Sequence, residues 1–595
     1  MHSISAFATL RRALVPAFLL LGASFGYATV QDEGAVATSE TAVELPPASE
    51  LVDDPKQQEL IELGRTSFMG ERHMEVITGH FPKRLTGSPG LERAQGWLLM
   101  VFEDFGLVAR KEEWGSVPVG FERDLSSGRI VAPEERDLVF TTPCWSPGTV
   151  DAVRGPALIE PATLEELQER SAEFEGAWML RNPDVGRADR AKFAEAYVEI
   201  GVAGTLQPGA RDGRIVTGGS MRVDWDDLPT LVRVTVTYED FASLRDQVEE
   251  GTAVELEFDV RNQFLHGPIP QYNVITEIEG SEFPDEFVIV QGHMDAWDGA
   301  QGACDNGTGM ATTMEAARLI MEAGIVPRRT IRFVFYTGEE QGLLGSRGYV
   351  ERHIDELERV SIVLNHDNGT NYLKGIAATE AMLEDFEHVF APIQRLDPTR
   401  PFEIRQVPGL RPGPSDHAPF VEAGVPAFHW DQSNAGYRRL HHTQHDTLAE
   451  VNHDDQRHSS LVVALAAVRF ANLDHLVDRS YMREPDPRRM GVFLGGDSGT
   501  VLERVVDGGR AAEAGWKTGD RILTIDGVAI TERAEVVAEL QKGGPKKVVV
   551  LEREGEEVET TLDYSDDPLE VERKAWRERA EAAASEEESA SPSDG

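Results

Sequence analysis

His293, Asp295, Asp305, Glu339 and Glu340 stand just past the ends of two apolar runs, in the stretch between residues 288 and 341. These residue types bind or orient a divalent cation and move protons. His293 and Asp295 are two apart, so on extended backbone their side chains share a face and one can bind while the other orients the ring. A buried, salt-bridged pair is the structural alternative. Asp305 follows the small-residue run GAQGAC and precedes Asn306-Gly307 and a helical pattern. It can cap that helix or bridge two cations. Glu339-Glu340 is harder to place structurally, because two carboxylates at the end of a buried strand repel and are desolvated unless a positive charge neutralises them. One of them can bind metal while the other takes a proton from water. Farther on, NHDNGT offers Asp367, and LHHTQHDTL offers His441, His442 and His445. With one imidazole from that run the inventory is two imidazoles and three carboxylates. It suits two zinc-like ions sharing a carboxylate, with positions open to water and substrate.

Strands and helices must alternate to bring these groups together. Short apolar runs at 274–278, 287–290, 331–336, 361–364 and 427–430 read as buried strands, and helical spacing appears at 310–323, 343–353, 380–394 and 455–475. The pattern predicts an α/β fold with a doubly wound mixed sheet, whose ligand site lies beyond the carboxyl ends of the strands. The catalytic domain is expected over 55–105 and 261–480, interrupted at 106–260 by a small β-rich insert. A further domain follows at 485–565 and an acidic tail at 566–595.

At 595 residues the chain exceeds one hydrophobic core. Arg11 and Arg12 precede an apolar stretch too short to span a bilayer, and Gly26-Tyr27-Ala28 offers small residues for cleavage. Residues 1–28 therefore read as a signal peptide, giving a periplasmic or extracellular protein without stable membrane insertion. Residues 29–54 are Ala, Glu, Thr, Ser and Pro without periodicity, which predicts a disordered linker or pro-segment. Only Cys144 and Cys304 are present, which argues against a disulfide framework. A formal net charge of -45 excludes nucleic acid as a partner class.

Four motifs, RLTGSPGLERAQGW, GHMDAWDGAQGACDNGTG, PRRTIRFVFYTGEEQGLLGS and HHTQHDT, carry a resemblance over residues 55–479. The chain resembles the co-catalytic zinc peptidases, the family that includes bacterial aminopeptidases, glutamate carboxypeptidase and carboxypeptidase Q. The resemblance implies a zinc exopeptidase fold and two Zn(2+) ions per chain acting on small peptides. It makes His293, Asp305, Glu340, Asp367 and His442 metal ligands, Glu339 the general base and Asp295 the residue behind His293. His441 would then donate a hydrogen bond to the tetrahedral intermediate, and Asp416 and His417 would shape the substrate pocket. His445 is left with a structural role. Parts of the insert (176–182, 202–206, 228–236) resemble the protease-associated domain. The run 511–530, with Gly515, Gly519, Asp520 and Asp526-Gly527, resembles the PDZ domain, whose loop at 491–496 would receive a peptide carboxyl terminus. Two alternatives share the scaffold: a single-zinc glutaminyl cyclase-like acyltransferase and a non-catalytic peptide-binding relative. Oligomeric state and the terminus recognised stay open.

Overall fold

The computed structural model describes residues 45–578 except Asn434, Ala435, Tyr481, Arg483, Glu484 and Asp497. The signal-peptide reading and the tail from 579 onward fall outside the described residues, as does the linker up to 44.

The central sheet is built from runs that are apolar on both faces. Arg329–Tyr336 is buried at every position, and Phe283–His293 is buried from residue 287 onward. Strands of this kind need helical cover on both sides. Six strands lie in the order Ala109–Arg123, Asn262–Ile278, Arg329–Tyr336, Phe283–His293, Val360–Asn365 and Ala427–His429. The last four run parallel and the first two antiparallel, so the sheet is mixed. Thr308–Glu322, buried from 308 to 320, crosses between two parallel strands and packs on His453–Ala471. Leu344–Arg352 lies against the edge strand Ala109–Arg123. Register then aligns the chemistry: His293 pairs with Tyr336, Gln291 with Asn365, and Asn365 with His429. Four parallel strands thus end side by side, and the residues just after each end share one crevice.

Two expectations change. Residues 109–123, expected to open the insert, instead form the sheet's edge strand in a long antiparallel pair with Asn262–Ile278. Their half-exposed alternation is the same whichever sheet they join. The insert's own eight-stranded sheet lies between Ser127 and Asp259, around a core that includes Trp178, Leu206, Val234 and Phe258. Order also begins earlier than expected. Ala48, Leu51 and Val52 are buried in the main core, and the Asp54 side chain caps the helix Pro55–Thr66 by accepting from Lys56 and Gln57 N–H.

The C-terminal sheet runs Val492–Gly495, Val501–Val505, Arg521–Ile525, Lys546–Arg553 and Glu556–Asp563, with Val528–Ala529 beside Arg521–Ile525. Val492–Gly495 is an edge strand. Residues 570–578, the helix-like charged run at the start of the expected tail, are helical. Arg573 of this helix donates to the Asp486 carbonyl, and Arg488 pairs with Glu570. A Cβ on Gly409 would meet the Trp576 ring at 1.9 Å, so only glycine lets this helix seat against the α/β domain. Among the described residues no helix is long and apolar enough to cross a membrane.

Candidate metal centre and active site

His293 ends its strand fully buried, and Asp305 lies on the loop before Thr308–Glu322. Asp305 Oδ1 is 3.4 Å from His293 Nε2, and that same nitrogen is 3.1 Å from Asp367 Oδ1. On the other side Asp305 Oδ2 is 3.1 Å from His442 Nε2, which is 2.8 Å from Glu340 Oε2. All five residues expected as ligands converge, with Asp305 between two groups. Asp305 Oδ2 and Glu340 Oε1 are buried without a hydrogen bond of acceptable geometry. His293 Nε2 is hydrogen-bonded to Asp367 Oδ1, but these two buried oxygens are left as unused acceptors that a cation would take up.

The charge balance leads to the same conclusion. The ion-pair partners of Asp305, Glu340 and Asp367 are histidines alone among the described residues. Burial and then the Asp305 carboxylate push Glu340 up to about 8, against the hydrogen bond from His442. Burial, and after it the Asp367, Asp416 and Glu340 carboxylates, drive Glu339 well above the carboxylate range, although His293 opposes them. Burial would lower His442, yet the Asp305 and Glu340 carboxylates beside it raise it to about 10. Burial likewise opposes the rise in His293, which the Asp367 and Glu339 carboxylates bring about. A pocket that protonates its imidazoles and glutamates in this way carries surplus negative charge, which a divalent cation would remove. The donor set therefore fits zinc.

Asp295 sits differently from the expectation. His293 Nδ1 faces the main-chain carbonyl of Asp295 at 3.0 Å, while the carboxylate is 3.6 Å away. Instead the carboxylate accepts from the backbone N–H of Glu339 (3.3 Å) and Glu340 (3.4 Å) and from Thr86 Oγ1 (3.0 Å). Asp295 thus holds the turn that presents both glutamates, while its carbonyl fixes the His293 tautomer. Replacing it, Asp295→Ala, should lower kcat/KM by roughly tenfold to a hundredfold. Elemental analysis should find the metal content unchanged, because the carbonyl facing His293 remains.

His441 is half-exposed. Its ring stacks on His442 with centroids 3.8 Å apart, and its Nε2 is 3.7 Å from Asp305 Oδ2. His445 is half-buried and does not join the convergent groups. A cavity of about 690 Å³ opens beside Asp367, walled by His429, Trp430 and Tyr437, with Lys374 and Arg405 farther along. Asp416 and His417 do not line it. Asp416 is fully buried, and burial pushes its carboxyl up to about 7. His417 lies behind His429, with ring centroids 5.2 Å apart.

Several residues that support the site were assigned no role from the sequence, although Arg84 and Asp446 stand within motifs that carry the resemblance. Fully buried Arg84, at the start of the RLTGSPG turn, donates to the carbonyls of Met294 (2.8 Å), Gln301 (3.2 Å) and Gly302 (2.7 Å). It ties the end of the His293 strand to the Asp305 loop. Asp446 accepts from the N–H of Cys304 (2.5 Å) and Asp305 (3.2 Å), fixing the backbone of the shared carboxylate. The insert reaches the site as well. Thr217 N–H donates to the His442 carbonyl at 2.8 Å, and Ile215 exchanges bonds with Gln444. His442 itself has φ +54°, a left-handed conformation that costs a non-glycine residue about 1–2 kcal/mol. The strap from the insert helps hold it there.

Three carboxylates and two imidazoles beyond the carboxyl ends of four parallel strands give the chain a centre of the kind a metal-dependent hydrolase uses. Residues 273–467 match the family model of peptidase family M28 and residues 501–553 that of a PDZ domain, so the chain carries an M28 peptidase domain followed by a PDZ domain. The chain is 28% identical to carboxypeptidase Q of Xenopus laevis over 371 residues, covering 61% of this chain and 78% of that protein. It is 26% identical to human carboxypeptidase Q over 425 residues, covering 70% and 88%. A crystal structure of a peptidase M28 precursor from Shewanella amazonensis superposes with a TM-score of 0.54 at 24% identity, covering 74% of this chain and all of that one. The chain is a metallo-exopeptidase.

Proposed function

We propose that the protein hydrolyses small peptides as a dipeptidase or aminopeptidase of the carboxypeptidase Q kind, with two zinc ions per chain. His293 and Asp367 would hold one ion, Glu340 and His442 the other, and Asp305 both. The observation that carries this reading is the shared carboxylate of Asp305, whose two oxygens face separate imidazoles at 3.4 and 3.1 Å. When bound, the ions supply Lewis-acid charge that acidifies the attacking water and polarises the peptide carbonyl. Glu339 accepts the proton of that water and returns it to the leaving amine nitrogen. Asp295 keeps Glu339 and Glu340 in register through their N–H groups. His441, exposed beside the centre, donates to the carbonyl oxygen as negative charge builds on it.

The cavity beside Asp367 receives the peptide, and the terminus it prefers is tested by one comparison. Free dipeptides should be cleaved, whereas the same peptides blocked at the amino end should not be. Indifference to the amino block would rule out both dipeptidase and aminopeptidase action. A single-zinc glutaminyl cyclase would instead cyclise an N-terminal glutamine peptide and hold one metal per chain. A non-catalytic relative would lack ligands that are all present here. The insert is read as a protease-associated domain. The PDZ domain is read as binding a peptide carboxyl terminus by adding a strand along its edge strand Val492–Gly495. The pattern of residues 1–28 supports export to the periplasm or beyond.

A further inference from the structure

The insert contains a cavity of about 640 Å³ whose wall brings together four guanidinium groups, of Arg181, Arg190, Arg211 and Arg245, against the two carboxylates of Asp246 and Glu249. In a chain with a formal net charge of -45 such a concentration of guanidinium groups is unusual. Two of them are accounted for by the fold. Arg190 pairs with the buried carboxylate of Glu160 at 2.5 Å, and Arg245 pairs with Glu249 one helical turn on at 2.7 Å. Arg181 and Arg211 have no carboxylate within 4 Å among the described residues, and neither does Arg233 in a smaller cavity that shares Arg181, Arg190 and Gln207 with the first.

Both unpaired side chains are nevertheless held. Arg181 Nη1 donates to Gln207 Oε1 at 2.6 Å, and Gln207 Nε2 in turn donates to Thr235 Oγ1 at 2.8 Å. Arg211 lies over the Tyr238 ring, 5.2 Å from its centroid. Burial and then the charges of Arg190 and Arg233 hold Arg181 below its usual value. The wall therefore keeps more guanidinium than carboxylate charge, with Arg181 and Arg211 held in place and free of a carboxylate partner among the described residues, a surplus that a bound anion would relieve.

We propose that this cavity binds a small anion carrying carboxylate or phosphate oxygens, gripped by the guanidinium forks of Arg181 and Arg211 and flanked by the apolar surface of Tyr238 and Phe241. Guanidinium forks match the geometry of both oxyanions, and a positive concavity on an acidic protein focuses anions that the rest of the surface repels. Arg211 also opens the segment whose Ile215 and Thr217 hold the His442 loop.

Calorimetric titration of the full metal-loaded chain with glutarate, and separately with inorganic phosphate, tests the proposal. At least one anion should bind saturably, and the preferred one identifies the oxyanion. Arg181→Gln and Arg211→Gln should each weaken that binding by roughly tenfold or more, the scale of one charged hydrogen-bonded contact. Arg181→Lys should weaken it less than Arg181→Gln, because charge remains while the fork is lost. Arg211 is exposed, so Arg211→Gln carries the test alone if an Arg181 variant does not fold. Absence of saturable binding by either anion overturns the proposal. So does binding that survives both glutamine substitutions, which would locate the anion at the metal centre.

Discussion

Glu339→Gln should abolish turnover, by roughly 10³-fold or more in kcat, while the purified variant keeps the metal content of the parent protein. The substitution preserves shape and removes only the ability to take and return a proton. Glu339 Oε2 reaches His293 Nε2 only at 4.0 Å, whereas Glu340 Oε2 lies 2.8 Å from His442 Nε2. Glu340 thus faces His442 closely while Glu339 stands off, on the side of His293 and Asp367. The two adjacent carboxylates share one turn, fixed by Asp295, yet face different partners. Steady-state kinetics with elemental analysis of the same sample separates the roles. Loss of metal on Glu339→Gln would make Glu339 a ligand, and near-normal turnover would move proton transfer elsewhere.

Much of this centre was legible in the sequence because parallel strands buried on both faces leave continuous apolar runs. The runs at 287–290, 331–336, 361–364 and 427–430 fall within or at the ends of strands of the central sheet. Polar residues that break off such a run are exposed to the crevice at its carboxyl end, and His293, Glu340 and Asp367 all stand there. Parallel pairing then sets them side by side without any further signal.

The supporting interactions were not legible for an equally physical reason. Arg84 acts through main-chain carbonyls, Asp446 through main-chain N–H groups, and Thr217 through its own backbone, and such bonds leave no periodicity in a sequence. Asp295 is the instructive case. Its spacing from His293 was read for a contact between side chains, but the structure gives that contact to its carbonyl and turns the carboxylate toward Glu339 and Glu340. Two-residue spacing places side chains on one face, and the direction of the oxygen depends on N–H groups more than forty positions away. The edge strand Ala109–Arg123 fails for the related reason that alternation marks a strand but not its neighbour.

Asp305→Asn should empty the centre where Glu339→Gln leaves it filled. Asparagine keeps nearly the same volume, and Asp446 grips Cys304 and Asp305 through backbone N–H, so the loop should retain its path. What is lost is the negative charge shared between the His293–Asp367 side and the His442–Glu340 side. An amide offers one weak acceptor oxygen in its place, and its NH2 group would point a donor at one of the two ion positions. Removing even an outer-sphere partner costs metal sites roughly tenfold to a hundredfold in affinity, so loss of the shared ligand should exceed that for both ions. Elemental analysis after dialysis should find both metals depleted and turnover lost together. Retention of one ion with residual activity would point to a centre served by a single zinc, the arrangement expected of the glutaminyl cyclase alternative. Paired with Glu339→Gln, the substitution distinguishes a centre that has lost its metal from one that has lost only its base.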